Sequence, residues 1–170
     1  MTTSWRRSAA LLGLVLTLPL AHAAPASAGH ASDELMIRLE SLYASDISES
    51  GGHDELYLLR KGNGLVWPGE YPGISVAAND CIVFGADSSM CPDGSNVRPA
   101  GDQNVNWANL RAAGGEQVTL ELWDEDLIGD DKLGSSTITA AEGDSGTVLW
   151  RKSGDWRYHF NYRVTTNPWP

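Results

Sequence analysis

The chain has 170 residues, 22 of them acidic and 12 basic, for a formal charge of −10. A surface of that sign repels nucleic acid and bare anionic lipid and attracts cations, which excludes nucleic acid as a partner. With 42% hydrophobic residues and two cysteines, the composition allows one ordinary core and one disulfide.

Arg6 and Arg7 precede an apolar run from Ala9 to Leu20, followed by the small-residue sites Ala21-His22-Ala23 and Ala26-Ser27-Ala28. A basic flank, a short apolar stretch and a small-residue exit predict a signal peptide over residues 1–28. About 12 apolar residues are too few to span ~30 Å of hydrocarbon. Export therefore leaves a single domain over 29–170, secreted or extracellular, with a formal charge of about −12 because Arg6 and Arg7 are lost.

Leu35 to Tyr43 is the first predicted strand, and an acidic segment containing Asp46, Glu49, Asp54 and Glu55 follows it, interrupted by Gly51-Gly52. Leu56 to Leu59 is a second strand, closed by Gly62-Asn63-Gly64. Trp67, Pro68, Tyr71 and Pro72 mark an insertion before the strand Val76 to Phe84. Cys81 and Cys91 stand ten apart, with neither Cys-x-x-Cys spacing nor a nearby histidine. In an exported chain they predict a structural disulfide.

Trp107 to Ala113 hints at a helical turn. Val118, Leu120 and Leu122 alternate with Thr119, Glu121 and Trp123 in a further strand, and Ser135 to Thr139 and Val148 to Arg151 are additional strand candidates. The clearest alternation is Trp156, Tyr158, Phe160, Tyr162 and Val164, with Arg157, His159, Asn161 and Arg163 between them. That pattern predicts a half-buried strand whose aromatics pack in the core. Short strands separated by turn residues predict an all-β fold, an antiparallel β-sandwich of about eight strands.

The segment from Asp124 to Asp131 joins two of these strands and holds five acidic side chains: Asp124, Glu125, Asp126, Asp130 and Asp131. Crowded like charges need a positive partner, and hard cations such as calcium prefer carboxylate and carbonyl oxygens. Gly129 allows the loop to turn back. An EF-hand reading fails, because Ile128 would fill a position that requires an oxygen ligand, Ser135 one that requires a bidentate glutamate, and the flanks are strands.

These residues resemble the C2 calcium-and-lipid-binding family. The late loop of that family runs from a hydrophobic strand into Asp-x-Asp, then a further Asp and a Gly. Here those residues are Asp124, Asp126, Asp131 and Gly134, with Asp130 competing for the third place. Asp54, ahead of Tyr57, matches an aspartate of the family's early loop, although the proline is missing and one extra residue precedes the tyrosine. Glu49 is nearest in register to the first early-loop aspartate, with Asp46 as the alternative. The resemblance implies a C2-like sandwich, calcium as cofactor, and Asp124, Asp126, Asp131, Asp130, Asp54 and Glu49 as candidate metal ligands. It also implies a phospholipid surface as partner, with Leu127 and Ile128 as membrane-inserting tip residues.

Two other functions compete with that reading. In one, calcium is purely structural and the domain recognises an extracellular protein or glycan through the Trp67–Pro72 insertion and the disulfide loop. In the other, the protein is a hydrolase. His53 and His159 form no zinc signature and there is no Gly-x-Ser-x-Gly elbow, so no catalytic residue is assigned and the expectation is a non-enzyme.

Overall fold

A computed structural model of the protein describes residues 34–48, 52–69, 73–85, 88–100, 105–126 and 128–166. The predicted signal peptide, Glu49, Tyr71, Pro72 and Leu127 lie outside these residues. Among the described residues eleven strands form, and the only helical pieces are two short 3₁₀ turns, Ser88–Met90 and Trp107–Leu110.

The strands are β1 (Glu34–Asp46), β2 (Asp54–Arg60), β3 (Gly64–Trp67), β4 (Ile74–Val76), β5 (Asp80–Val83) and β6 (Asn96–Pro99), then β7 (Arg111–Ala113), β8 (Gln117–Asp124), β9 (Asp131–Thr139), β10 (Ser145–Arg151) and β11 (Arg157–Thr165). One sheet has the order β10-β11-β1-β5-β6, with β7 also pairing β1. The second has the order β3-β2-β8-β9, with β4 also pairing β2. This is the all-β sandwich expected from the alternating pattern.

The strand count exceeds eight for local reasons. The predicted strand Val76 to Phe84 is broken by a turn at Asn79, whose φ of 71° ends β4 before β5 begins. β3, β6 and β7 are only three or four residues long, too short to show a period. The expected helical turn at Trp107 to Ala113 is a 3₁₀ turn that runs directly into β7. All pairings are antiparallel except β5 with β6. That parallel pair needs a connection that carries the chain back along the sheet. The Cys81–Cys91 disulfide ties this connection to β5, as the spacing predicted.

The core lies between the sheets. Leu56, Leu58, Leu120 and Leu122 of the second sheet face Leu42, Ile82, Tyr158 and Phe160 of the first, all buried. The alternating aromatics of β11 face inward as expected, with Trp150 stacked on Phe160 at 5.7 Å. Trp67 is buried against Phe84 in an edge-to-face contact at 5.2 Å, so this part of the insertion is core and not an exposed recognition surface.

The longest pairing in the molecule joins β1 to β11. Met36 pairs with Thr165 at one end and Asp46 pairs with Arg157 at the other. The start of β1 and the finish of β11 therefore sit side by side. The finish of β1, the start of β2 and the β8–β9 connection gather at the opposite end of the sandwich.

Candidate functional site

The β2–β8 register places Leu56 opposite Asp124. Side chains two apart on a strand share a face, so Asp54 and Asp124 both point inward at the end of their sheet. Both are fully buried. Burying two carboxylates together is unfavourable unless donors or a cation compensate.

The donors come from both sheets. The Ser48 backbone N–H donates to Asp54 Oδ2 at 2.8 Å, and the Ser48 hydroxyl donates to Asp124 Oδ2 at 3.1 Å. The Glu55 N–H donates to Asp124 Oδ1 at 2.8 Å. From β11 the Tyr158 hydroxyl donates to Asp54 Oδ2. Ser48 thus bridges the two acids, and Tyr158 reaches them across the core.

These bonds do not remove the electrostatic cost. Burial, followed by the neighbouring Asp54 carboxylate, pushes the Asp124 carboxyl up to about 6, while Ser48 and Glu55 pull it down and Asp126 adds to the rise. None of these groups is cationic. Asp124 therefore retains a demand for positive charge that its hydrogen bonds leave unmet.

The other predicted ligands are arranged differently. Asp126 is half-buried and close enough for its charge to act on Asp124. Asp130 is turned away. Tyr57 and Trp123 are register partners stacked at 6.3 Å on the outer face of the sheet, and the Tyr57 hydroxyl donates to Asp130 Oδ2 at 2.7 Å. Asp130 therefore lies on the face opposite Asp54 and Asp124. Asp131 opens β9 as the register partner of Asp124 and is exposed. Among the described residues no three His, Cys, Asp or Glu side chains gather closely enough to hold one ion.

Calcium takes six to eight oxygen ligands, so the fit is specific but partial. Asp54 and Asp124 suit the inner wall of such a site: an all-oxygen donor pair, buried and of like charge. Asp126 is the further acid whose charge acts on Asp124.

The loop itself has the expected shape. Gly129 has a φ of +107°, the left-handed region that turns the chain back. Its base is pinned where the Glu125 N–H donates to the Glu55 carbonyl at 2.9 Å and the Gly73 N–H donates to Glu125 Oε2 at 2.5 Å. Ile128 stands at the tip and is 99% exposed. Ser48 and Tyr158 escaped the sequence reading. Ser48 lies beyond the end of β1, and Tyr158 belongs to a run of core aromatics that hides its hydroxyl's role.

His159, on the face of β11 away from the core, is half-buried beside Tyr43, with ring centroids 5.8 Å apart. Burial and then the Arg157 charge hold its imidazole below the usual histidine range.

No protein-family profile matches the chain. No curated protein matches it either. A solved structure titled "Structure of a C2 domain" is similar to it at 15% identity, over 80% of this chain and 99% of that chain, with a TM-score of 0.35.

Proposed function

We propose that this chain is an exported, non-enzymatic, C2-like binding module that takes calcium at Asp54 and Asp124 and docks on phospholipid. The observation that carries the reading is the buried acid pair at a loop-bearing end of the sandwich, with no cation among the groups acting most on Asp124. Calcium bound there would neutralise the pair and offer its remaining positions to phosphate oxygens. Asp54 and Asp124 form the inner wall, and Ser48 and Tyr158 hold their carboxylates in place. Asp126, whose charge acts on Asp124, would move inward to serve as the third ligand, with Asp131 and Glu49 as further candidates. Asp130 joins only if it releases Tyr57.

Ile128 supports the lipid arm of the proposal. A fully exposed aliphatic side chain at a loop tip loses nothing on entering a headgroup region and gains burial of its apolar area.

The test is thermal melting in calcium and in chelator. A site filled to a hundredfold excess over its Kd adds about 2.7 kcal/mol of stability, a shift of several degrees. Replacing Asp124 and Asp126 together with Asn should abolish the shift. An unchanged melting point in calcium for the wild-type chain would remove the metal site. Co-sedimentation with phospholipid vesicles then separates docking from a structural ion, since docking requires calcium and weakens in Ile128→Ser.

A further inference from the structure

The outer face of the β10-β11-β1-β5-β6 sheet carries a cross-strand row that is continuous in register. Register sets Leu149, His159, Tyr43, Cys81 and Val97 side by side on five successive strands. At about 4.8 Å per strand the row is roughly 19 Å long. Leu149 and Val97 at its ends are 44% and 50% exposed, the Tyr43 and His159 rings in its middle are half-buried, and Cys81 between Tyr43 and Val97 is buried. The Cys81–Cys91 bridge ties the adjoining turn to this face. There Met90 is 39% exposed and its carbonyl accepts a bond from Asn161, a neighbour of the row. Of the four large apolar side chains exposed among the described residues, three belong here, and Ile128 is the fourth.

A basic margin adjoins the row. Arg151 and Arg157 are register partners, each two residues along from Leu149 and His159. Both are exposed, and neither enters an ion pair among the described residues. By contrast Arg60, Arg98, Arg111, Lys132, Lys152 and Arg163 are all paired. Asp46 faces Arg157 across β1 without pairing to it. Like charges directly opposite one another on paired strands are unfavourable, so the two guanidinium groups hold unused capacity for carboxylates.

We propose that this face docks a protein segment that sets carboxylates against Arg151 and Arg157 and apolar side chains along the Leu149–Val97 row. Tyr, Met and Arg around an apolar strip with a polar margin is the composition of protein interfaces. The surface lies on the outer face of its sheet, with its basic margin at the same end as the acid pair but turned away from it, and its occupation does not require calcium.

The probe is a short fluorescein-labelled peptide of alternating glutamate and leucine pairs, with a control carrying lysine for glutamate. The acidic peptide should bind saturably with or without calcium, and amide shifts should centre on Tyr43, Leu149, Arg151, Arg157 and His159. The double variant Arg151→Gln, Arg157→Gln should weaken binding roughly tenfold or more at a melting temperature no lower than wild type. Leu149→Thr tests the apolar row in the same way. Equal binding of the lysine control, shifts centred elsewhere, or full binding by the double variant would overturn the proposal. So would binding through these residues to anionic vesicles alone, or self-association through this face in sedimentation.

Discussion

Burial and the Asp54 charge make Asp124 a carboxyl that the folded chain prefers to keep protonated, with a value of about 6 against 3.8 for a free aspartate. The folded state therefore binds a proton more tightly than the unfolded state. This contribution is present below about pH 4 and is lost as the pH rises through about 6. Over that interval the metal-free protein loses roughly 3 kcal/mol relative to Asp124→Asn, which cannot titrate. Denaturation in chelator at both ends of the interval, run on wild type and variant, measures the difference; parallel profiles would mean that the pair is not electrostatically strained. Tyr158→Phe removes one of the donors to Asp54 and should cost about 1–3 kcal/mol at neutral pH, read as a lower melting point. Sequence could show the residues but not this chemistry. The acids of both loops are visible as charge, yet burial of Asp54 beside Asp124 depends on the β2–β8 register. Nothing within either segment sets that register. The same register places Tyr57 over Asp130 and so separates residues that neighbour one another in the chain.

Among the elements, β8, β9 and β10 show how the acidic loop is anchored. A Cβ at Gly134 would lie 2.3 Å from Trp150 Cδ1, so β9 and β10 approach each other only because that position has no side chain. Trp150 is buried and its Nε1 donates to Ser136 at 3.0 Å, which leaves the ring little room to yield. Gly134→Ala should cost about 1–3 kcal/mol and several degrees in melting temperature. A thermal melt that matches wild type would show that the contact relaxes freely. Such contacts explain which strands could be read beforehand. β8 and β11 are long, buried on one face and strictly alternating, so hydrophobic pattern alone identifies them. β6 is exposed throughout, ends in Pro99 and pairs in parallel, so it presents no alternation to detect. Its place depends on the chain reversal that the disulfide holds.

For the whole molecule, that disulfide closes a connection of sequence separation 10. Replacing both cysteines with serine should lower stability by about 2–3 kcal/mol in the loop-entropy account. The loss should appear equally in calcium and in chelator, because the bridge lies on the outer face of its sheet and the acid pair points inward between the sheets; a calcium-dependent difference would link the two. The ends of the domain matter in another way. β1 begins beside the finish of β11, and the paired strands run antiparallel from there toward the acid pair. A load applied between those two points opens the β1–β11 ladder one hydrogen bond at a time, as a zip, instead of shearing many at once. The molecule should therefore yield at low force when pulled by its own ends. Rupture would travel toward Tyr158, the side chain that joins β11 to Asp54. Ion occupancy at that far end would then act as a mechanical stop, letting a short tug stretch the strap without freeing the grip.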